Sequence, residues 1–151
     1  MERLRDEADA LRIRFLDLLS QDANSFNAFM EAMKLPKDTE DQKAKRSKAM
    51  QEALLHAARI PLETVRALGE MARLAREAVA RGNRNAVTDA GTAALLARAA
   101  ALAAAYNVRA NLLALKDQDV VARLRRELEE ALAVTLATAD EVLPLVEEKL
   151  V

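Results

Sequence analysis

Apolar positions recur along most of the chain at the three-and-four spacing of an amphipathic helix, and short polar breaks separate the runs. The first run carries Leu4, Ala8, Leu11, Phe15, Leu18, Ala23, Phe26, Phe29 or Met30, and Met33, and predicts a helix from about Arg3 to Met33. Leu35-Pro36-Lys37-Asp38 ends it, because proline disfavours a helical residue before it. Thr39-Glu40-Asp41-Gln42 then has the form of a capping box, in which Thr39 and Gln42 satisfy two orphan amides at the start of a second helix. That helix runs to about Arg81, with Met50, Leu54, Ala57, Ile60, Val65, Leu68, Met71 and Ala75 on its apolar face. Pro61 lies inside it and predicts a kink or short break.

Gly82-Asn83-Arg84-Asn85 reads as a stop and restart, with Gly82 as C-cap and Asn85 or Thr88 as N-cap. A third helix is expected from about Thr88 to Leu115. Its only charges are Asp89, Arg98 and Arg109, so it is apolar nearly all round and belongs in the middle of an assembly. Lys116-Asp117-Gln118-Asp119 breaks the pattern, with Asp117 as N-cap of a fourth helix that continues to the C-terminus past Pro144. Four long helices with short connections predict an all-α fold, an antiparallel helical bundle in one domain over 1–151. A third helix wanting cover on every side adds a partner subunit, hence a homodimer or higher homo-oligomer.

Composition narrows the chemistry. Only 3 Gly and 3 Pro interrupt 151 residues, and Ala and Leu dominate the 52% hydrophobic content, as helices require. The 23 basic and 24 acidic residues leave a net charge of −1, which offers no large field to nucleic acid or to an anionic membrane. No apolar run reaches the ~18 residues of a membrane span, Arg98 splitting the longest. The absence of Cys excludes disulfides, thiolate nucleophiles and zinc-cysteine sites and fits a cytoplasmic setting. A single His56, with Glu52 one turn away, excludes a Ser-His-Asp set argued from sequence and falls short of the paired Glu-x-x-His pattern of a di-metal bundle, so no metal site is expected. The basic run Lys43, Lys45, Arg46 and Lys48, interleaved with acids, reads as a solvated face.

Polar residues in apolar places carry the functional signal. Steps of three and four through 15, 18, 22, 26 and 29 put Asp22 on the stripe of Phe15, Leu18, Phe26 and Phe29. A carboxylate there is costly unless paired, hydrogen-bonded or protonated. Burial of that kind is how a carboxyl is tuned for general acid/base work near neutral pH. The competing reading is a structural Asp that pairs with an Arg or caps a neighbouring helix. On the third helix, positions 89, 93, 96, 100, 103, 107 and 111 share a face, which aligns Asp89, Asn107 and Asn111. Asn107 and Asn111 are one turn apart and both donate and accept, which suits a flat heterocycle with amide-like edges. An interhelical hydrogen-bond network that fixes register explains them equally well. Arg98 and Arg109 share another face, available to carboxylates across a subunit interface or to an anionic ligand.

Asp22-Ala23, Phe26, Glu31-Ala32-Met33-Lys34-Leu35-Pro36-Lys37, Lys45-Arg46, Met50-Gln51-Glu52-Ala53-Leu54, Ile60-Pro61-Leu62, the segment from Gly82 to Gly91, Asn107-Val108-Arg109-Ala110-Asn111-Leu112 and Leu115-Lys116-Asp117 occur together in one order and spacing. In that combination the sequence resembles the cyclodeaminase domain of formiminotransferase-cyclodeaminase and the related bacterial methenyltetrahydrofolate cyclohydrolases. The resemblance covers about two thirds of the chain. It implies a helical, dimeric enzyme of one-carbon folate metabolism. Such an enzyme closes 5-formimino-tetrahydrofolate to the 5,10-methenyl form with release of ammonia, or interconverts the methenyl and 10-formyl forms. The substrate would be a tetrahydrofolate derivative, with no prosthetic group. The family's acid falls on Asp22, and Asp89, Asn107, Arg109, Asn111 and Lys37 fall in its other polar motifs as substrate-binding candidates. Two departures stand out. Family members carry a further N-terminal helix preceded by a Pro-Gly-Gly-Gly-Ser loop, about a quarter of a typical member, which this chain is expected to lack. Ser20 stands where a first Asp of an acidic pair is expected. The alternative is a non-catalytic helical assembly protein derived from the same family.

Overall fold

A computed structural model describes residues 2–81 and 86–151. Four helices account for nearly all of them: α1 (Glu2–Lys34), α2 (Glu40–Arg81), α3 (Val87–Leu112) and α4 (Gln118–Leu150). The all-α expectation holds, and the helix boundaries fall within a few residues of those read from the pattern. The capping box forms as expected: Gln42 N donates to Thr39 Oγ1 at 3.2 Å, and Thr39 N donates to Gln42 Oε1 at 3.1 Å. Asp117 caps α4, its side chain accepting from the amides of Asp119 and Val120 at 3.1 Å each. At the start of α3 the N-cap position is Ala86, with no side-chain cap, and Thr88 lies inside the helix instead. Gly82 and Asn85, the other two expected caps, fall outside the described residues.

Cross-helix bonds fix the directions. Arg14 reaches Glu63 and Glu70 while Arg3 reaches Glu77, so α1 and α2 are antiparallel. Arg98–Asp140 and Arg109–Glu129 make α3 and α4 antiparallel. Arg66–Glu127 and Arg76–Glu141 make α2 and α4 parallel. Arg73, hydrogen-bonded to Glu7, and Arg3 beside it hold the Glu7 carboxyl below the usual carboxylate range.

The centre of the bundle is α2, not α3. The second helix packs on α1, α3 and α4, and α1 packs chiefly on α2. Its sequence shows why: Ile60, Ala67 and Leu74 repeat every seven residues and meet Leu11 and Leu18 of α1, while Leu54, Ala58, Leu62, Val65, Leu68 and Ala72 face α3 and α4. The apolar excess of α3 therefore has a different cause from centrality. Ala94, Ala97, Ala101 and Ala105 are fully buried against α2 and α4, but Leu95, Leu96 and Tyr106 point outward, and Leu96 is 59% exposed. By length and composition α3 also suffices to cross a membrane, which the count of uninterrupted apolar residues did not show, although only 39% of its most apolar stretch is buried. In the bundle its interior Arg98 is paired with Asp140 at 2.8 Å.

The α1 stripe is also narrower than the expected one. Leu11, Leu18, Ser25 and Ala32 are its buried positions, seven residues apart, whereas Phe26, Met30 and Met33 are exposed. A helix that packs on one neighbour needs only a heptad seam, and past Leu18 that seam continues through small residues.

Candidate functional site

A groove opens between α1 and α3 with α2 as its floor. At one end it encloses about 570 Å³, lined by Leu4, Ala8, Phe15, Leu74, Ala90 and Ala93, with Arg12 and Asp89 as its charged residues. The walls are apolar because α1 and α3 both lean on α2 without closing on each other. Asp22 repeats the positions of Phe15 and Ala8 after one and two heptads, so it belongs to the same α1 wall further along.

The registers place the other candidates. Arg14 sits abreast of Glu63 and Glu70, and Asp22 is eight residues beyond it, about 12 Å along α1. That brings Asp22 abreast of the α2 turn containing Ala57. Asn111 reaches that turn from the other side, its Nδ2 donating to Ala57 O at 3.0 Å. Asp22 and Asn111 therefore flank one turn of α2, with Asn107 one turn before Asn111 on the α3 wall. Asp89 lies at the far end of the groove, and the structure does not bring it together with them.

Burial of Asp22 is not what the structure shows. The residue is exposed in this chain, and its carboxylate has no hydrogen-bond or ion-pair partner among the described residues. Ser25 takes the buried place instead, donating from Oγ to the Asp22 carbonyl at 2.8 Å. Ser25 escaped the sequence reading because a small polar residue at a heptad position is invisible to a search for large apolar ones. The carboxylate is neither spent on an Arg nor used as a cap, so the two structural roles weighed for it are not realised here.

Asn111 has a role that follows from Pro61. Of the kink or short break expected at Pro61, the break does not occur: the second helix continues through it. Proline has no N–H, so the carbonyl four residues earlier, that of Ala57, loses its helical donor. Asn111 supplies one from α3. Ala57 and Pro61 are both buried, so water offers little substitute there. Pro144 in α4 leaves the carbonyl of Asp140 in the same position, but both residues are exposed and solvent can serve it. Asn111 thus ties α3 to α2, the register-fixing role considered for it, and its Oδ1 takes part in no hydrogen bond among the described residues.

Arg98 and Arg109 pair with α4 of the same chain, at 2.8 Å and 2.9 Å, rather than across a subunit interface. Lys37 lines a separate cavity of about 420 Å³ at the end of the bundle, together with Lys43, Arg46, Ser47, Gln51 and Lys116. Lys43, Lys45 and Lys48 are exposed, as a solvated face requires, and Arg46 is half-buried. The signal that sequence reading missed is the loop carrying Lys116, which only the fold brings to Lys43 and Arg46. His56 and Glu52 are exposed, and among the described residues no group of three or more His, Asp or Glu side chains is placed to share a metal ion.

Residues 1–130 match the formiminotransferase-cyclodeaminase family. Over 149 residues the chain is 34% identical to a methenyltetrahydrofolate cyclohydrolase of Methylorubrum extorquens, covering 99% of this chain and 72% of that one. It is 30% identical over 149 residues to the formimidoyltransferase-cyclodeaminase of Sus scrofa, spanning 28% of that longer protein. The crystal structure of a formiminotetrahydrofolate cyclodeaminase from Thermotoga maritima superposes with a TM-score of 0.86 at 26% identity, covering 100% of this chain and 71% of that one.

Proposed function

Because this chain belongs to the formiminotransferase-cyclodeaminase family, we propose that it is an enzyme of one-carbon folate metabolism that hydrolyses 5,10-methenyl-tetrahydrofolate to the 10-formyl form. The observation that carries this reading is the 34% identity to the cyclohydrolase over 99% of the chain. A second reading, closure of 5-formimino-tetrahydrofolate with loss of ammonia, is favoured by the close superposition on the cyclodeaminase structure.

Both reactions pass through a tetrahedral carbon between N5 and N10, and both need a group that moves a proton there. Asp22 is the candidate: an unpaired carboxylate on the groove wall, level with Asn111 and close to Asn107 in register. In the hydrolytic reaction it takes a proton from the attacking water. It then gives that proton to N5 as the C–N5 bond breaks, and the proton of the new hydroxyl leaves to solvent as the formyl C=O forms on N10. In the deaminating reaction N10 attacks the formimino carbon, Asp22 takes the N10 proton and passes it to the formimino nitrogen, and the bond from carbon to that nitrogen breaks to release ammonia. Asn107 and the free Oδ1 of Asn111 suit the amide-like edge of a pterin. Asp89, Arg109 and Lys37 complete the substrate-binding proposal, Arg109 by exchanging Glu129 for a substrate carboxylate and Lys37 from the end of the bundle. The chain is read as one helical unit that forms a homodimer through the outward face of α3, where Leu96 and Tyr106 lie exposed among alanines.

The purified protein should bleach the methenyl chromophore faster than buffer alone. With 5-formimino-tetrahydrofolate, the appearance of that chromophore together with released ammonia selects the second reading. No rate above buffer with either substrate excludes both.

A further inference from the structure

We infer that the end of the bundle where the α1–α2 and α3–α4 connections meet is a binding site for a polyanion carrying two or more negative charges. The cavity of about 420 Å³ there is walled by four cations, Lys37, Lys43, Arg46 and Lys116, and no carboxylate lines it. On the flanks of the bundle Arg3, Arg14, Arg66, Arg73, Arg76, Arg98 and Arg109 meet carboxylates on other helices, while Lys45, Arg59, Arg125 and Arg126 are exposed and form no ion pair among the described residues. Among the described residues, Lys37, Arg46 and Lys116 form no ion pair, and Lys43 alone shares its charge, with the exposed Glu40 at 2.7 Å. In a protein of net charge −1, four cations gathered round one hollow repel one another until an anion enters.

The walls are held in place before any ligand arrives. Gln51 clamps the α3–α4 connection to α2, its Nε2 donating to Ala114 O at 3.0 Å and its Oε1 accepting from Lys116 N at 2.7 Å. Lys116 Nζ donates to Ser47 Oγ at 2.9 Å. Arg46 is anchored through Nε to Met33 O at 3.1 Å, which leaves its two terminal nitrogens for an oxyanion. Such fixing lowers the ordering cost of binding. The chemistry shared by candidate ligands is two or more oxyanion groups on one molecule. They come from the glutamyl carboxylates of a folate lying in the adjoining groove or from a free phosphate compound. Lys116 is five residues past Asn111, so the two regions adjoin.

Inorganic pyrophosphate tests the site without any folate chemistry, so its outcome is separate from that of the catalytic assay. Calorimetric titration at low salt should show binding that weakens as salt is raised. The variant Lys37→Gln/Arg46→Gln/Lys116→Gln should bind at least tenfold more weakly with unchanged helical circular dichroism. The control Lys45→Gln/Lys48→Gln, two cations of the same helix outside the cavity, should bind as the parent does. Competition with pteroyltriglutamate and pteroylmonoglutamate separates the sources. Displacement by the triglutamate alone points to a folate tail, and pyrophosphate binding undisturbed by either points to a free phosphate compound. Absence of pyrophosphate binding at millimolar concentration, or equal weakening in the control variant, overturns the inference.

Discussion

At the scale of single residues, the link between Pro61 and Asn111 shows how one side chain is explained by another 50 positions away. The pyrrolidine ring removes the donor to Ala57 O, and Asn111 replaces it at 3.0 Å. Leaving a buried acceptor unsatisfied costs roughly 1–3 kcal/mol. Asn111→Leu should therefore destabilise the protein by about that amount in urea unfolding. In a Pro61→Ala background, where a backbone N–H returns to Ala57 O, the same change should cost clearly less. Equal cost in both backgrounds would show that the bond does not depend on the proline. Asp22 is the contrasting case. The pattern puts it one heptad on from Phe15 and in the core, whereas the structure leaves it exposed. Steps of three and four cannot tell a buried seam from the column beside it, and the large Phe26 drew the stripe outward from the smaller Ser25.

At the scale of elements, punctuation was the most legible feature. Thr39 with Gln42 and Asp117 formed the expected caps because capping depends on local spacing alone. Helix order and direction followed from short connections. Which helix lies at the centre was not legible, because an apolar surface records how much cover a helix wants and not which neighbour gives it. A close approach between α2 and α4 was hidden for a similar reason. A Cβ on Gly69 of α2 would stand 2.8 Å from Thr135 Oγ1 of α4, whose hydroxyl donates to Val65 O and Ala131 O. Gly69→Ala should lower stability by about 1–3 kcal/mol through overpacking, despite the better helix propensity of alanine. Adding Thr135→Ala should recover part of the loss in thermal melts. If Gly69→Ala raises the melting temperature, the helices have room that this packing denies them.

At the scale of the whole molecule, the surfaces that the chain's own helices leave uncovered include the groove between α1 and α3 and the outward face of α3. The second of these supports the proposed homodimer. Leu96→Glu, at a position 59% exposed in the single chain, should leave the fold intact and shift the sedimentation profile toward monomer. A parent protein that sediments as a monomer at micromolar concentration would remove the dimer from the account.

Family membership puts the chain among enzymes of one-carbon folate metabolism, and the central claim of the proposed function is that Asp22 carries the proton of the reaction. The measurement that tests this most directly pairs the methenyl-chromophore assay with a thermal melt on Asp22→Asn. Because Asp22 is exposed and its carboxylate has no partner among the described residues, the melting temperature should stay within about a degree of the parent, as for an ordinary surface substitution. The rate should fall by roughly 10²- to 10⁴-fold, the usual share of a positioned acid/base group. Parental activity in that variant contradicts the assignment. So does a large drop in melting temperature that accounts for the lost rate, which would return Asp22 to a structural role.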